Sequence, residues 1–199
     1  MAITALVEKT VYDFSELSDT AKQEAISRYA CNHDWWDGVY DDFLQICEIL
    51  GFKVKSKDVQ FSGFYHQGSY AAFSGYYYFR KEMVKKIKEY APQDEELHRI
   101  AKELSAMQRK CFYSLSAKFT YSDYHGYSVD MEDERRNHGW LDAGCDAEDV
   151  FRQVLKDLSA WLYKQLQNDY EDQTSEESFK ELAEINEWTF NENGRIDYI

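Results

Sequence analysis

Two histidines sit where a side chain can reach a ligand. His66 lies in Tyr65-His66-Gln67-Gly68-Ser69-Tyr70, and His125 lies in Tyr124-His125-Gly126-Tyr127-Ser128. Both segments place a histidine beside a glycine between aromatic runs, as at the tip of a hairpin, and loops are where contact residues concentrate. An imidazole titrates near neutral pH and can serve as acid or base. Catalysis also needs a nucleophile or carboxylate held against the ring, and only Ser69, Ser128 and Asp123 are near in sequence. Contact with a ligand or partner, or a plain turn, fits these residues better than catalysis. Phe64, His66, Gln67, Ser69 and His125 are therefore a candidate ligand-binding set, not a catalytic one. The surrounding tract 61–75 mixes rings with Gly63, Gly68, Ser69, Ala71, Ala72 and Gly75. Small residues beside rings form a shallow pocket or a flat contact surface. The competing reading is that the strand glycines only let a sheet bend.

Other constellations are less specific. Asp34, Asp37, Asp41 and Asp42 suggest a two-metal carboxylate site, but at helical spacing they line the stripe opposite the apolar face, where solvated charge belongs. Asp130, Glu132, Asp133 and Glu134 read as an acidic run on a loop. Cys31, Cys47, Cys111 and Cys145 are scattered without a CxxC pair, which predicts free thiols and no zinc site. Phosphate loops, GxSxG, HExxH and calcium-loop patterns do not occur in the sequence. The expectation is a protein without metal, cofactor or catalytic centre.

Charge is the most informative bulk property. The net charge is −14, with 18 acids against 16 bases over residues 1–129 and 19 against 7 over 130–199. Such a balance argues against nucleic acid or an anionic membrane as partner, because phosphate binding needs a basic surface. It suits a protein partner with a basic, nucleic-acid-binding surface, whose approach the field would accelerate. Glu132, Asp133, Glu134, Glu148, Asp149, Asp169, Glu171, Asp172, Glu176 and Glu177 are the candidate partner contacts. The alternative is that the acids keep an aromatic-rich chain dispersed in water. Arg80, Lys81, Lys85, Lys86 and Lys88 form a basic patch that is either an ordinary exposed helix face or a dock for the acidic third of a second copy, as in a homodimer. The opening residues do not read as a secretory signal, and no apolar run approaches the ~18 residues that span a bilayer. The expected location is the cytoplasm.

These residues need elements to position them. The spacing predicts a strand over 3–12, with Ile3, Ala5 and Val7 on one face, then a helix capped by Ser18. A second helix from Asp34 carries Trp36, Val39, Tyr40, Phe43, Ile46, Cys47 and Leu50 inward and ends at Gly51. Residues 58–65 and 70–79 predict a hairpin around His66, followed by helices over 81–91 and from about 94 with Leu97, Ile100, Leu104 and Met107. Strict alternation over 111–121 predicts a strand that turns at 123–126 into a partner through Tyr127, Val129 and Met131, and then a loop over 132–145. A long helix over 147–170, a short one capped by Thr174-Ser175-Glu176-Glu177, and a tail hairpin at Asn193-Gly194 complete the chain. With 44% hydrophobic residues and one proline, the expectation is a single α+β domain over 1–199: an antiparallel sheet of hairpins packed against several helices.

Phe61-Ser62-Gly63-Phe64 followed by Gln67-Gly68 and Phe73 resembles a tract in a family of small tailed-phage and prophage proteins, often labelled "antitoxin of toxin–antitoxin stability system". Tyr90-Ala91-Pro92-Gln93-Asp94-Glu95-Glu96-Leu97, Asp157-Leu158 through Trp161, Tyr163 and Gln165-Leu166, Phe14-Ser15-Glu16-Leu17-Ser18 and Trp35-Trp36-Asp37 fit it as well. In that family the Gln-Gly pair is usually followed by Asp-Gly, whereas here Ser69-Tyr70 follows, so ligand specificity at this loop would differ. The resemblance implies a phage setting and a neutralising, antitoxin-like or anti-defence role; by analogy with acidic phage inhibitors, the charge then suits occupation of a basic groove on a host factor.

Overall fold

A computed structural model describes residues 9–31, 34–133 and 146–197. In chain order its elements are α1 (Asp19–Tyr29), α2 (Asp37–Leu50), β1 (Phe52–Lys53), β2 (Val59–Phe61), β3 (Ala71–Phe73) and β4 (Gly75–Tyr78). There follow α3 (Met83–Tyr90), α4 (Glu95–Lys110), β5 (Leu115–Ser122), β6 (Gly126–Asp133), α5 (Ala147–Gln173) and α6 (Glu176–Ile185). The class is α+β with antiparallel pairing throughout, as the alternation of hairpins and helices predicts. The fold divides into two compact units: unit 1 is 1–35 with 168–199, and unit 2 is 36–167. Residues 147–167 of α5 belong to unit 2 and 168–173 to unit 1. No helix among the described residues is long and apolar enough to cross a membrane.

Unit 2 is built on a four-stranded sheet in the order β1-β4-β5-β6, with β2 and β3 forming a separate pair. Alternation puts Tyr77, Leu115, Ala117, Phe119, Tyr127 and Met131 on one buried face. Phe52, Tyr77 and Phe119 meet Phe151 of α5 at ring distances of 5.0–6.0 Å, and Phe43 of α2 packs edge-on against Phe73 at 5.0 Å. Full burial of each such side chain contributes roughly 1.5–3 kcal/mol, so this aromatic cluster dominates the unit's core. On the opposite face Tyr76, Tyr78, Lys118, Thr120, Ser128, Asp130 and Glu132 are exposed.

Several local expectations shift. The strand predicted over 70–79 breaks at Ser74: β3 pairs with β2, whereas β4 joins the larger sheet. Gly75 permits the change of sheet, since a Cβ there would lie 2.3 Å from the Lys53 carbonyl oxygen. The two-residue β1 is too short to show a period, and the sequence reading missed it. The strand predicted from 111 starts at Leu115, because α4 runs to Lys110 and the next residues turn, with Phe112 and Tyr113 at φ 55° and 62°. β6 continues through Glu132 and Asp133, where a loop is expected from sequence. The predicted loop over 134–145, the strand face of Ile3, Ala5 and Val7, and Cys145 lie outside the described residues. Cys31 and Cys47 are free thiols.

Unit 1 joins the two ends of the sequence. Ser18 caps α1 by accepting the Ala21 N–H, and Ser175 caps α6 by accepting the Ser178 N–H. Phe14, Phe179 and Phe190 form its core, with Phe14 and Phe179 edge-to-face at 4.9 Å. Tyr12 and Phe190 exchange backbone hydrogen bonds, and Phe190 bridges Ile196 across the turn at Asn193-Gly194. Gly194 has φ 77° and is packed so closely on the Ala21 carbonyl that no side chain fits.

Candidate functional site

The tip of the β2–β3 hairpin, residues 62–70, is held from within. Ser62 Oγ accepts the Tyr70 N–H at 2.9 Å. Ser69 Oγ accepts the His66 N–H at 3.1 Å and donates to the His66 carbonyl at 2.9 Å. Both serines are therefore engaged in closing the loop, and Ser69 contacts the backbone of His66 rather than its ring. Gly63, Tyr65 and Gly68 take left-handed backbone, with φ 96°, 61° and 89°. For tyrosine that conformation is strained and persists only where surrounding contacts impose it. Phe64 supplies an anchor: it is buried, with its ring 4.7 Å from Phe61 and 5.5 Å from Tyr163. The loop thus presents Tyr65, His66 and Gln67 at the surface while Phe64 and Ser69 hold it.

The β5–β6 turn stands beside this loop. The Tyr70 hydroxyl donates to Asp123 Oδ1 at 2.5 Å, and the Tyr70 and Tyr121 rings lie 5.0 Å apart. That hydrogen bond to a carboxylate, with a smaller contribution from burial, pushes the Tyr70 hydroxyl up to about 12. Tyr127 meets Tyr121 edge-on at 5.2 Å; its buried hydroxyl accepts the Phe73 N–H and pairs with Ser159 Oγ at 2.6 Å. Burial holds the Tyr127 hydroxyl above its ordinary range. The structure therefore brings the His66 loop and the His125 turn to one end of unit 2, with Tyr124 and His125 exposed. Sequence reading missed Tyr70, Tyr121 and Asp123 as the link. Tyr70 and Asp123 are 53 residues apart, and the only local signal was that both turns carry a tyrosine, a histidine and a glycine.

The ten acidic candidates fall into two sets. Glu132, Asp133, Glu148 and Asp149 belong to unit 2, and Asp169, Glu171, Asp172, Glu176 and Glu177 to unit 1; Glu134 lies outside the described residues. Asp133 needs correction as an exposed contact. It is 2% exposed and accepts a hydrogen bond from Ser114 Oγ at 2.7 Å, because the strand period turns it inward next to exposed Glu132. Glu148 is half-buried and pairs with Arg152 at 2.6 Å. Asp169 is half-buried too. Desolvation raises its pKa, Asp172 adds to the shift, and a hydrogen bond from Gln173 opposes it. Glu176 pairs with Lys22 at 2.6 Å, while Asp149, Glu171, Asp172 and Glu177 are exposed.

The decisive distribution is by unit rather than by position along the chain. Unit 1 carries 16 acids against 5 bases, a net of −11, and unit 2 carries 21 against 18, a net of −3. Among the described residues, no group of three or more His, Cys, Asp or Glu is arranged to hold a metal. Asp42 of the aspartate cluster accepts the Tyr90 hydroxyl instead.

A family model described as a domain of unknown function (DUF8835) matches residues 35–176. The chain belongs to the DUF8835 family. Neither a curated protein nor a solved structure matches it. The DUF8835 stretch contains the whole of unit 2, including the loop at 62–70 and the turn at 123–126, but only Trp35 and residues 168–176 of unit 1.

Proposed function

We propose that this DUF8835 protein is a non-catalytic, phage-encoded inhibitor that works in the host cytoplasm by binding a basic surface of a host factor. The observation that carries this reading is the concentration of −11 in unit 1. Exposed Asp172, Glu177, Glu181, Glu184, Glu187 and Glu192 give that unit a field of one sign, which attracts a nucleic-acid-binding groove and repels nucleic acid itself. The phage setting rests on the family resemblance of Phe61–Phe64, Gln67-Gly68 and the other matching tracts. Single exposed charges contribute about 0.2–1 kcal/mol. Reversing Asp172, Glu177 and Glu181 to Lys together should therefore weaken binding by roughly 1–3 kcal/mol while circular dichroism stays unchanged. The measurement is salt-dependent retention of a host nucleic-acid-binding protein, together with protection against host defence. Equal retention and protection by the triple variant would overturn the reading.

A second reading has its own support. The strained loop around Tyr65 and the exposed His66, Gln67, Tyr124 and His125 suit a small ligand such as a nucleotide, with rings to stack on the base. Calorimetry with nucleoside mono- and triphosphates tests it. Binding that His66→Ala and Gln67→Ala remove, and the acidic triple variant keeps, would make the ligand the primary function.

A further inference from the structure

Ile185 ends α6 and is 80% exposed, the one exposed large aliphatic side chain among the described residues. Glu181 and Glu184 flank it, and Glu187 follows, all exposed. The stretch 176–187 carries five acids and one base. Unit 2 offers a cleft with the complementary character. Phe79, Met83, Val84 and Tyr113 line about 500 Å³ together with Ser105, and two bases and one acid, Arg80, Lys81 and Glu82, complete the lining. The Phe79 and Tyr113 rings lie 4.8 Å apart. Residues 80–90 carry five bases against two acids, and Lys85, Lys86 and Lys88 extend the basic surface along α3. The cleft is preformed by its backbone. Glu82 has φ 62°, fixed by Lys85 and Lys86 N–H groups donating to its carbonyl, and Tyr113 has φ 62°, with its N–H donating to the Gln108 carbonyl at 2.7 Å.

We propose that Ile185 of one copy seats in the Phe79–Met83–Val84–Tyr113 cleft of a second copy, with Glu181 and Glu184 meeting Arg80 and Lys81. The two patches differ, so reciprocal exchange about a two-fold axis closes a dimer, and one-way docking gives a head-to-tail series. The occupant is a second copy because both halves of the match, an isolated aliphatic among acids and an apolar cleft among bases, are present on this chain. The contact is small, so association belongs to the weak, concentration-dependent class below about 1,200 Å².

Sedimentation of the full chain from about 5 to about 500 µM, a range suited to weak contacts, tests the proposal. At low salt the mean mass should rise with concentration. Ile185→Asp should weaken association by about tenfold to a hundredfold, and Ile185→Leu should preserve it. Arg80→Glu with Lys81→Glu should weaken it as well, and mixing that protein with the Glu181→Lys, Glu184→Lys protein should restore a mixed species. Circular dichroism checks that each variant is folded, as expected for exposed sites. A monomer at every concentration, association indifferent to Ile185→Asp, or a charge-swapped pair that fails to associate would each overturn the proposal.

Discussion

At the scale of single residues, one buried polar side chain in unit 2 secures the backbone at a joint between elements. Gln108 is fully buried, yet its amide nitrogen donates to the Leu115 carbonyl at 2.8 Å and its amide oxygen accepts the Leu115 N–H at 3.2 Å. It thereby satisfies both backbone groups of the first β5 residue at the joint with α4. Gln108→Leu keeps the volume and strands both groups, each costing about 1–3 kcal/mol. Urea unfolding should show a loss of at least about 2 kcal/mol, with a change of midpoint rather than slope. The tyrosine hydroxyls predict an alkaline limit. Hydrogen bonds to Asp123 and Asp42 push Tyr70 and Tyr90 up to about 12, from 10.0. The folded chain then holds these protons more tightly than the unfolded chain, so their stabilisation is complete below pH 10 and lost as pH rises through 12. Melting temperatures taken between those values should fall less steeply in Tyr70→Phe, Tyr90→Phe protein than in wild type.

At the scale of elements, what was legible follows length and period. α2, α4 and α5 show long amphipathic stripes, and their predicted inward residues, Phe43, Ile46, Leu97, Ile100, Leu104, Phe151 and Leu158, are buried. The alternation of β5 was equally plain from Leu115 to Phe119. β1 has two residues, too few for any period, and its partner β4 lies beyond the whole β2–β3 hairpin, whereas the β2–β3 pairing follows the hairpin expected around His66. The site was legible in part for the same reason. His66 and His125 stood out by type and turn position, but the Tyr70–Asp123 tether is a tertiary contact with no local signature. Gly75 is where the small strands meet the larger sheet. Gly75→Ala would drive a Cβ into the Lys53 carbonyl and should separate β1 from β4, at a cost of about 1–3 kcal/mol. Hydrogen exchange should locate the loss, with the Tyr76 and Tyr78 amides exchanging faster while those near the middle of α4 keep their protection.

At the scale of the whole molecule, the charge gradient read from the sequence proves to be a difference between units, and the N-terminal residues share it. That was hidden because unit 1 depends on contacts such as Lys9 with Asp197 and Lys22 with Glu176, which join opposite ends of the chain. A unit at −11 repels itself, and salt screens that repulsion over about 10 Å at 0.1 M. Raising sodium chloride should slow amide exchange in α6 more than in β5 and β6; equal responses would show that the acids are spaced too widely to matter. The split of unit 1 also sets an order of events during synthesis. A ribosome adding about 5–20 residues per second has released the aromatic loop and its sheet before residues 168–197 exist. The segment around Phe14 stays uncommitted until Phe179 and Phe190, its core partners, have been made. The acidic unit therefore closes after the hairpin and its sheet have been made. A message truncated ahead of α6 would keep the hairpin tip but lose −5 of the −11 of unit 1 along with Phe179 and Phe190, so a single premature stop spares the loop and removes the core on which the acidic unit closes.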